Sequence, residues 1–471
     1  MFVAVVIGLI TGAPETYILG QVVLGFSVFI ALSFLADRPL INPIQAFVLM
    51  FYWWLGIGPA AISAFKVLAG FNKQALEVQV AAMESLWLLS FGVIIYAVFA
   101  RATLRWFSGT GWSARFLLPA GDNFSTKALV IYMAVTFIAD WMLLFLANMG
   151  IIGREETSIL GGSKTTIWWI GVIAAVALIN PLLKSSLMVY LTEPWKTIPF
   201  IVKILLVYTV FQTFLFALYG GWKGPIAFLC AYYVIAYMSR FQHPPWAVII
   251  VAVTLFVLVI APYVSYGRHK AALSKVQTSW ERTEVFRDVL QNPELFLPNI
   301  DREIDVSVLF RGIAPLAAEM TRRNSLLEGE WGGETILWGL EIVVPRAILP
   351  EKRNMNIGNF FARTVGADIG VTSRYQTVTN ISMTIPFECV GNFGWFGGVL
   401  SFGILGIFWP LFCVWLLTPD RLHSHPLTPF CIILGITVEG AFGHWLANLR
   451  GYIIPIAVLF FINRVILRGK V

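Results

Sequence analysis

Charged side chains are scarce in this chain. Asp, Glu, Lys and Arg make up 13% of 471 residues, against about 25% in an ordinary soluble domain. That excludes a typical soluble globular protein. Cysteine is scarcer still, with four residues: Cys230, Cys389, Cys413 and Cys431. Three lie within apolar runs and the fourth flanks one, in no spacing that a disulfide framework or a metal cluster requires. Walker and zinc-finger patterns are missing, as are internal repeats of fixed period, low-complexity segments and evident inverted halves. The opening stretch MFVAVVIGLI lacks a basic leader region and a clear cleavage site, so it reads as mature sequence and a short first span.

What the chain does have is apolar surface. Hydrophobic residues are 58% of the total, and the mean hydropathy is +0.77. The 18 tryptophans suit interfacial belts. Together these define an all-α polytopic membrane protein. The formal net charge of +7 would point to nucleic acid in a soluble protein. Here basic residues in short cytoplasmic loops account for it.

A bilayer span needs about 20 mostly apolar residues. Such runs fall near 17–36, 42–64, 80–100, 128–150, 165–187, 198–218, 222–240 and 245–263, then near 393–417, 427–447 and 451–467. With residues 1–11 the expectation is about twelve transmembrane helices. Arg464, Arg468 and Lys470 place the tail in the cytoplasm. Arg421, Arg240, Lys196, Arg101 with Arg105, and Arg38 then fall on the same side. Lys66, Lys73, Arg154 and Lys164 fall on the other. Three regions follow: N-terminal spans (1–263), a large external loop (264–386) and C-terminal spans (387–471).

The external loop is charge-rich, with 14 of the 33 basic and 14 of the 26 acidic residues. A loop of that length is rarely structureless. Val306, Leu309, Ile313, Leu316 and Met320 recur at helical spacing. ETILWGLEIVV (334–344) predicts a second apolar helix, stopped by Pro345. Arginines outnumber lysines there by 11 to 3. Arg346 lies between two prolines in VVPRAILPEKRN (343–354), followed by Lys352 and Arg353. A held guanidinium grips phosphate with a bidentate fork. Arg311 and Arg374 are further candidates, and many of these arginines also balance neighbouring acids. Arg268 belongs to a basic edge after a span, suited to interfacial anchoring or to a lipid headgroup.

The stretch IPFECVGNFGWFGG (385–398) sets Glu388 at the mouth of a span. A carboxylate there is either solvated or, in a cleft, a candidate general base. Asn392 is positioned to bond back to the backbone at a bend. Gly391, Gly394, Gly397 and Gly398 permit close approach of a helix or a ligand. His444 and Arg450 fall at the same external level. Asp140 and Glu439 read as intramembrane acids, which are usually paired or functional.

Three stretches carry a family likeness. They are NPIQAFVLMFYWW (42–54), LWGLEIVVPRAILPEKRN (337–354) and FECVGNFGWFGG (387–398). In these the chain resembles the Wzy-type oligosaccharide repeat-unit polymerases of bacterial O-antigen and exopolysaccharide pathways. The likeness rests on about a tenth of the chain. It implies a GT-C-like glycosyltransferase in the bacterial inner membrane, with a large helical periplasmic loop and the active site facing the periplasm. Such enzymes pass a growing glycan from undecaprenyl diphosphate to a new lipid-linked unit. The resemblance implies neither metal, cofactor nor nucleotide. The partners it implies are the undecaprenyl-diphosphate oligosaccharide, the lipid bilayer and, as an option, a chain-length regulator, but not nucleic acid. Glu388 is then the expected base, with His444 competing. Arg346 and Arg311 would hold the diphosphate, helped by Lys352, Arg353 or Arg374. Arg268 and Asn392 would contact lipid or substrate. An O-antigen ligase, a transporter or flippase using Asp140 and Glu439, and a structural subunit are the alternative readings.

Overall fold

The structure is a computed structural model. It describes residues 13–35, 42–58, 72–109, 126–148, 179–220, 224–274, 279–295, 331–344, 384–417 and 427–436, with positions 6, 9, 60, 349, 360, 361, 442, 443, 445, 446, 449, 452 and 455 besides. These residues form helices and connecting turns, with no strand among them. The helices are α1 (Glu15–Leu35), α2 (Pro43–Phe51), α3 (Asn72–Gly109), α4 (Thr126–Asn148), α5 (Ile179–Tyr190), α6 (Phe200–Gly220) and α7 (Gly224–Phe241). After them come α8 (Trp246–Leu255), α9 (Ala261–Leu273), α10 (Ser279–Gln291), α11 (Glu334–Val343), α12 (Ile385–Leu416) and α13 (Thr428–Ile436). The expected first span (1–11), the helix through Val306–Met320 and the final run (451–467) lie outside the described residues, apart from isolated positions.

Among the described residues, four helices are long and apolar enough to cross a membrane: Glu15–Leu35, Met83–Phe107, Trp246–Val264 and Ile385–Leu416. Their exposed faces explain why the chain needs a bilayer. On α1, Tyr17, Gln21, Leu24, Val28, Ala31 and Leu35 recur every three or four residues and are buried. The opposite face is equally apolar, with Leu19, Phe26, Phe29 and Ile30 exposed. A helix that is hydrophobic all round belongs in a large core or in lipid. This is a helical membrane protein.

The chain divides into two compact units, each assembled from distant segments. The first draws on Met1–Ser113, Leu309–Trp415 and Leu434–Leu449. The second draws on Ala114–Val308, Leu416–Ile433 and Arg450–Val471.

In the first unit, Asn42 caps α2. Its side chain accepts from the Ile44 and Gln45 amides at 3.0 and 2.8 Å, while Pro43 supplies a preset first turn. A π-helical stretch, Tyr52–Ile57, follows α2. Gln21 Nε2 reaches across to donate to Gly56 O at 2.9 Å. The core is aromatic: Phe47 stacks on Tyr96 and Trp409, and Trp409 Nε1 donates to Pro43 O at 3.1 Å. Here α3 and α12 approach to backbone contact. A Cβ on Gly406 would lie 2.7 Å from Tyr96 O. Small residues at such crossings are how membrane helices gain packing without a hydrophobic driving force.

In the second unit, α8, a π-helical turn (Phe256–Ile260) and α9 run end to end. The helix therefore continues across residue 264, where the apolar run of the sequence stops. Beyond α9, α10 packs back on it. Tyr263 Oη donates to Phe286 O at 3.0 Å, and Gly267 leaves room for the Phe286 ring. Arg240 pairs with Glu193 at 3.8 Å.

Asp140, expected from the sequence to be an intramembrane acid, has a partner. Gln212 Nε2 on α6 donates to its Oδ2 at 2.7 Å, and Lys184 on α5 is close enough for its charge to act on Asp140. Asp140→Leu strands the Gln212 amide among apolar helices. Thermal unfolding in detergent is expected to show a stability loss that the Asp140→Leu/Gln212→Leu double variant partly recovers, with a coupling of about 0.6–2 kcal/mol. Strictly additive losses would mean that the pair contributes nothing as a pair.

Candidate functional site

The site is built on a helix that breaks in the middle. Thr384 O accepts from the Phe387 and Glu388 amides, each at 3.0 Å, and starts α12. Pro386 fits that first turn, where its missing N–H costs nothing. The helix then breaks at Gly394, whose φ of 67° and ψ of −166° suit glycine alone. Residues 385–393 and 395–416 are thus two helical pieces. The break strands a carbonyl at the end of the first piece, as any helix terminus does. Trp331 N–H donates to it, meeting Gly391 O at 2.9 Å.

Trp331 leads into α11. Gly332 and Gly333 turn the chain with φ of 60° and 86°, and the Phe393 ring lies against Gly333. The sequence expectation for this helix is met. It runs Glu334–Val343, and Val344 is extended at φ −69°, ψ 127°, as the residue before a proline must be. One side of α11 presents the buried Thr335 and Gly339. A Cβ on Gly339 would fall 2.9 Å from Gly443 Cα and N. The α11 backbone therefore rests directly on the 442–443 backbone.

These elements converge on Glu388, which is 0% exposed. Its Oε2 accepts the Phe442 amide at 2.5 Å. Four residues on, Asn392 is also fully buried. Its Nδ2 donates to Thr335 Oγ1 and to Glu388 O, both at 2.7 Å. The bend-side bond expected of Asn392 is therefore present. The Thr335 hydroxyl neighbours the Glu388 carboxylate; accepting from Asn392 leaves its own O–H free to donate toward that carboxylate. Glu388 Oε1, Asn392 Oδ1 and Thr384 Oγ1 are buried with no hydrogen-bond partner. Leaving a buried polar atom unsatisfied costs about 1–3 kcal/mol.

The sequence places Glu388 before the span. The structure places it inside the helix, on the fourth residue of α12, held by a backbone amide. Glu388 and Asn392 are brought together. Arg268 lies on α9 in the other unit. His444, Arg346, Arg311, Lys352, Arg353 and Arg374 lie outside the described residues, as do Glu439 and Arg450. Sequence reasoning missed Thr384, Thr335 and the Phe442 amide. The amide is backbone and leaves no side-chain signal. Thr335 and Gly339 are four apart on a predicted helix, which does mark one face. The glycines serve the break and close packing: Gly398 abuts Val390 and Leu88. No group of three or more metal-ligating side chains occurs among the described residues. In comparison with known proteins, no family model, no curated protein and no solved structure matches the chain.

Proposed function

We propose that this chain is a GT-C-like membrane glycosyltransferase of about twelve spans that polymerises undecaprenyl-diphosphate-linked oligosaccharide units at the periplasmic face of the bacterial inner membrane. The observation that carries the reading is the Glu388 carboxylate. One oxygen is held by a backbone amide and the other is unpartnered, at the entry of a span. A base needs that combination of fixed orientation and a free acceptor atom. Exposed apolar side chains on both helices, Leu337 and Leu340 of α11 and Phe393 and Phe396 of α12, suit a substrate whose carrier is a lipid.

In this reading the acceptor hydroxyl gives its proton to Glu388 Oε1. Its oxygen bonds to the donor anomeric carbon as the bond to the lipid diphosphate breaks, and the diphosphate leaves with the electron pair. Inversion at the anomeric carbon follows. Arg346 and Arg311, with Lys352, Arg353 or Arg374, neutralise the departing diphosphate. Arg268 serves a headgroup, Asn392 the substrate, and His444 stands as the competing base.

The experiment is direct. Purified protein in nanodiscs receives undecaprenyl-diphosphate oligosaccharide and no nucleotide sugar. A ladder of longer glycans is expected. A protein that makes no ladder but carries the lipid-linked sugar across the bilayer would be a flippase, and the proposal would be wrong.

A further inference from the structure

Thr384, Glu388 and Asn392 are spaced by four residues. Residues four apart on a helix lie one above the other, so Glu388 and Asn392 mark one stripe on the first piece of α12, and Thr384 stands four residues earlier, just before its N-terminus. Each carries a buried oxygen without a hydrogen-bond partner: Oγ1, Oε1 and Oδ1. The orientation of the Asn392 amide is not arbitrary. Its Nδ2 meets Glu388 O, which can only accept. Oδ1 is therefore a true acceptor. The Thr384 hydroxyl does not cap the helix either, since the amides of the first turn go to its carbonyl.

Length decides what the stripe can hold. At 1.5 Å per residue, eight residues cover about 12 Å. A single metal ion gathers its oxygens at about 2.0–2.6 Å, and the short side chains of Thr384 and Asn392 cannot close on one such point. A row of acceptors suits a row of donors, and hydroxyl groups along a sugar chain are such a row. We propose that Thr384, Glu388 and Asn392 form the acceptor subsite for a polyhydroxylated glycan, longer than one sugar ring, under α11 as its cover. This deepens the glycan-transfer reading and rests on it. The nucleophilic hydroxyl meets Glu388, while hydroxyls on either side meet Asn392 and Thr384. Because Thr335 sits on Asn392 and beside Glu388, α11 lifts for the glycan to enter. The two glycines at positive φ before it, with open space around Gly332, provide the hinge.

Thr384→Val tests the subsite. It removes only the unpartnered hydroxyl and keeps the shape. The probe is the lipid-free repeat-unit oligosaccharide, with binding to protein in nanodiscs read by saturation-transfer NMR alongside the acceptor KM of polymerisation. Binding is expected to weaken about tenfold in Thr384→Val and to return in Thr384→Ser, with the melting temperature of both near wild type. A monosaccharide is expected to bind much more weakly than the repeat unit. Equal binding by wild type and Thr384→Val, or no binding by wild type, overturns the subsite even where wild type makes a ladder. Glycan binding that depends on Thr384 in a protein that makes no ladder keeps the subsite and removes the polymerase reading. If Thr384→Val fails to fold while Thr384→Ser folds and binds normally, the hydroxyl is structural and the proposal falls.

Discussion

Polymerisation by the Glu388→Gln protein is expected to fall by a factor of about 100–10,000, the range for loss of a positioned general base. The Glu388 carboxylate is buried, and the Phe442 amide holds Oε2 at 2.5 Å. A glutamine can accept that same amide bond through its carbonyl oxygen, so the junction between α12 and residue 442 survives. What is lost is the capacity of the second position to take a proton from a hydroxyl. Initial rates of ladder formation at matched protein levels measure the loss, and amide exchange at Phe442 checks that the junction is intact. Full activity in Glu388→Gln, with loss in a His444→Gln protein, would transfer the role of base to His444.

The second large effect comes from a residue that touches no substrate. Gly339→Val is expected to raise hydrogen exchange at the Phe442 amide about 5- to 150-fold and to depress polymerisation with it. The Cβ would lie 2.9 Å from Gly443 Cα and N, and backbone cannot swing aside as a side chain can. Overpacking of that kind costs about 1–3 kcal/mol, which is the stated range in an opening equilibrium. The displaced α11 carries Thr335 away from Asn392, and the 442–443 segment away from Glu388. The two variants separate chemistry from support: Glu388→Gln keeps the Phe442 amide protected and loses rate, whereas Gly339→Val loses both. Unchanged exchange in Gly339→Val would show that α11 is not seated on that backbone.

How far the sequence reaches can be judged residue by residue. The apolar runs near 17–36, 198–218 and 222–240 are helices within a few residues of those bounds, because helical length and apolar composition are local properties. The stop of α11 at Val343 is legible for the same reason, since Pro345 acts on its immediate neighbour. The start of α12 is not. Hydropathy puts it near 393, and the helix begins at Ile385, because a buried glutamate lowers a hydropathy average without breaking a helix.

The site divides along the same line. Glu388 and Asn392 stand out in the sequence because polar groups beside an apolar run need a reason. Their spacing of four residues already puts them on one face. By itself, then, the sequence determined a helical membrane protein, the glycines that let α12 bend, and two of the polar residues in the site. Tertiary structure alone decided that Gly394 is the break, that the stranded Gly391 carbonyl goes to Trp331, and that Phe442 supplies the amide for Glu388. It also decided that Asp140 belongs to Gln212. The physical reason is common to the three hydrogen bonds among these. Local pattern sets which face of a helix is apolar, but a buried hydrogen bond needs a partner, and that partner lies tens of residues away in the chain.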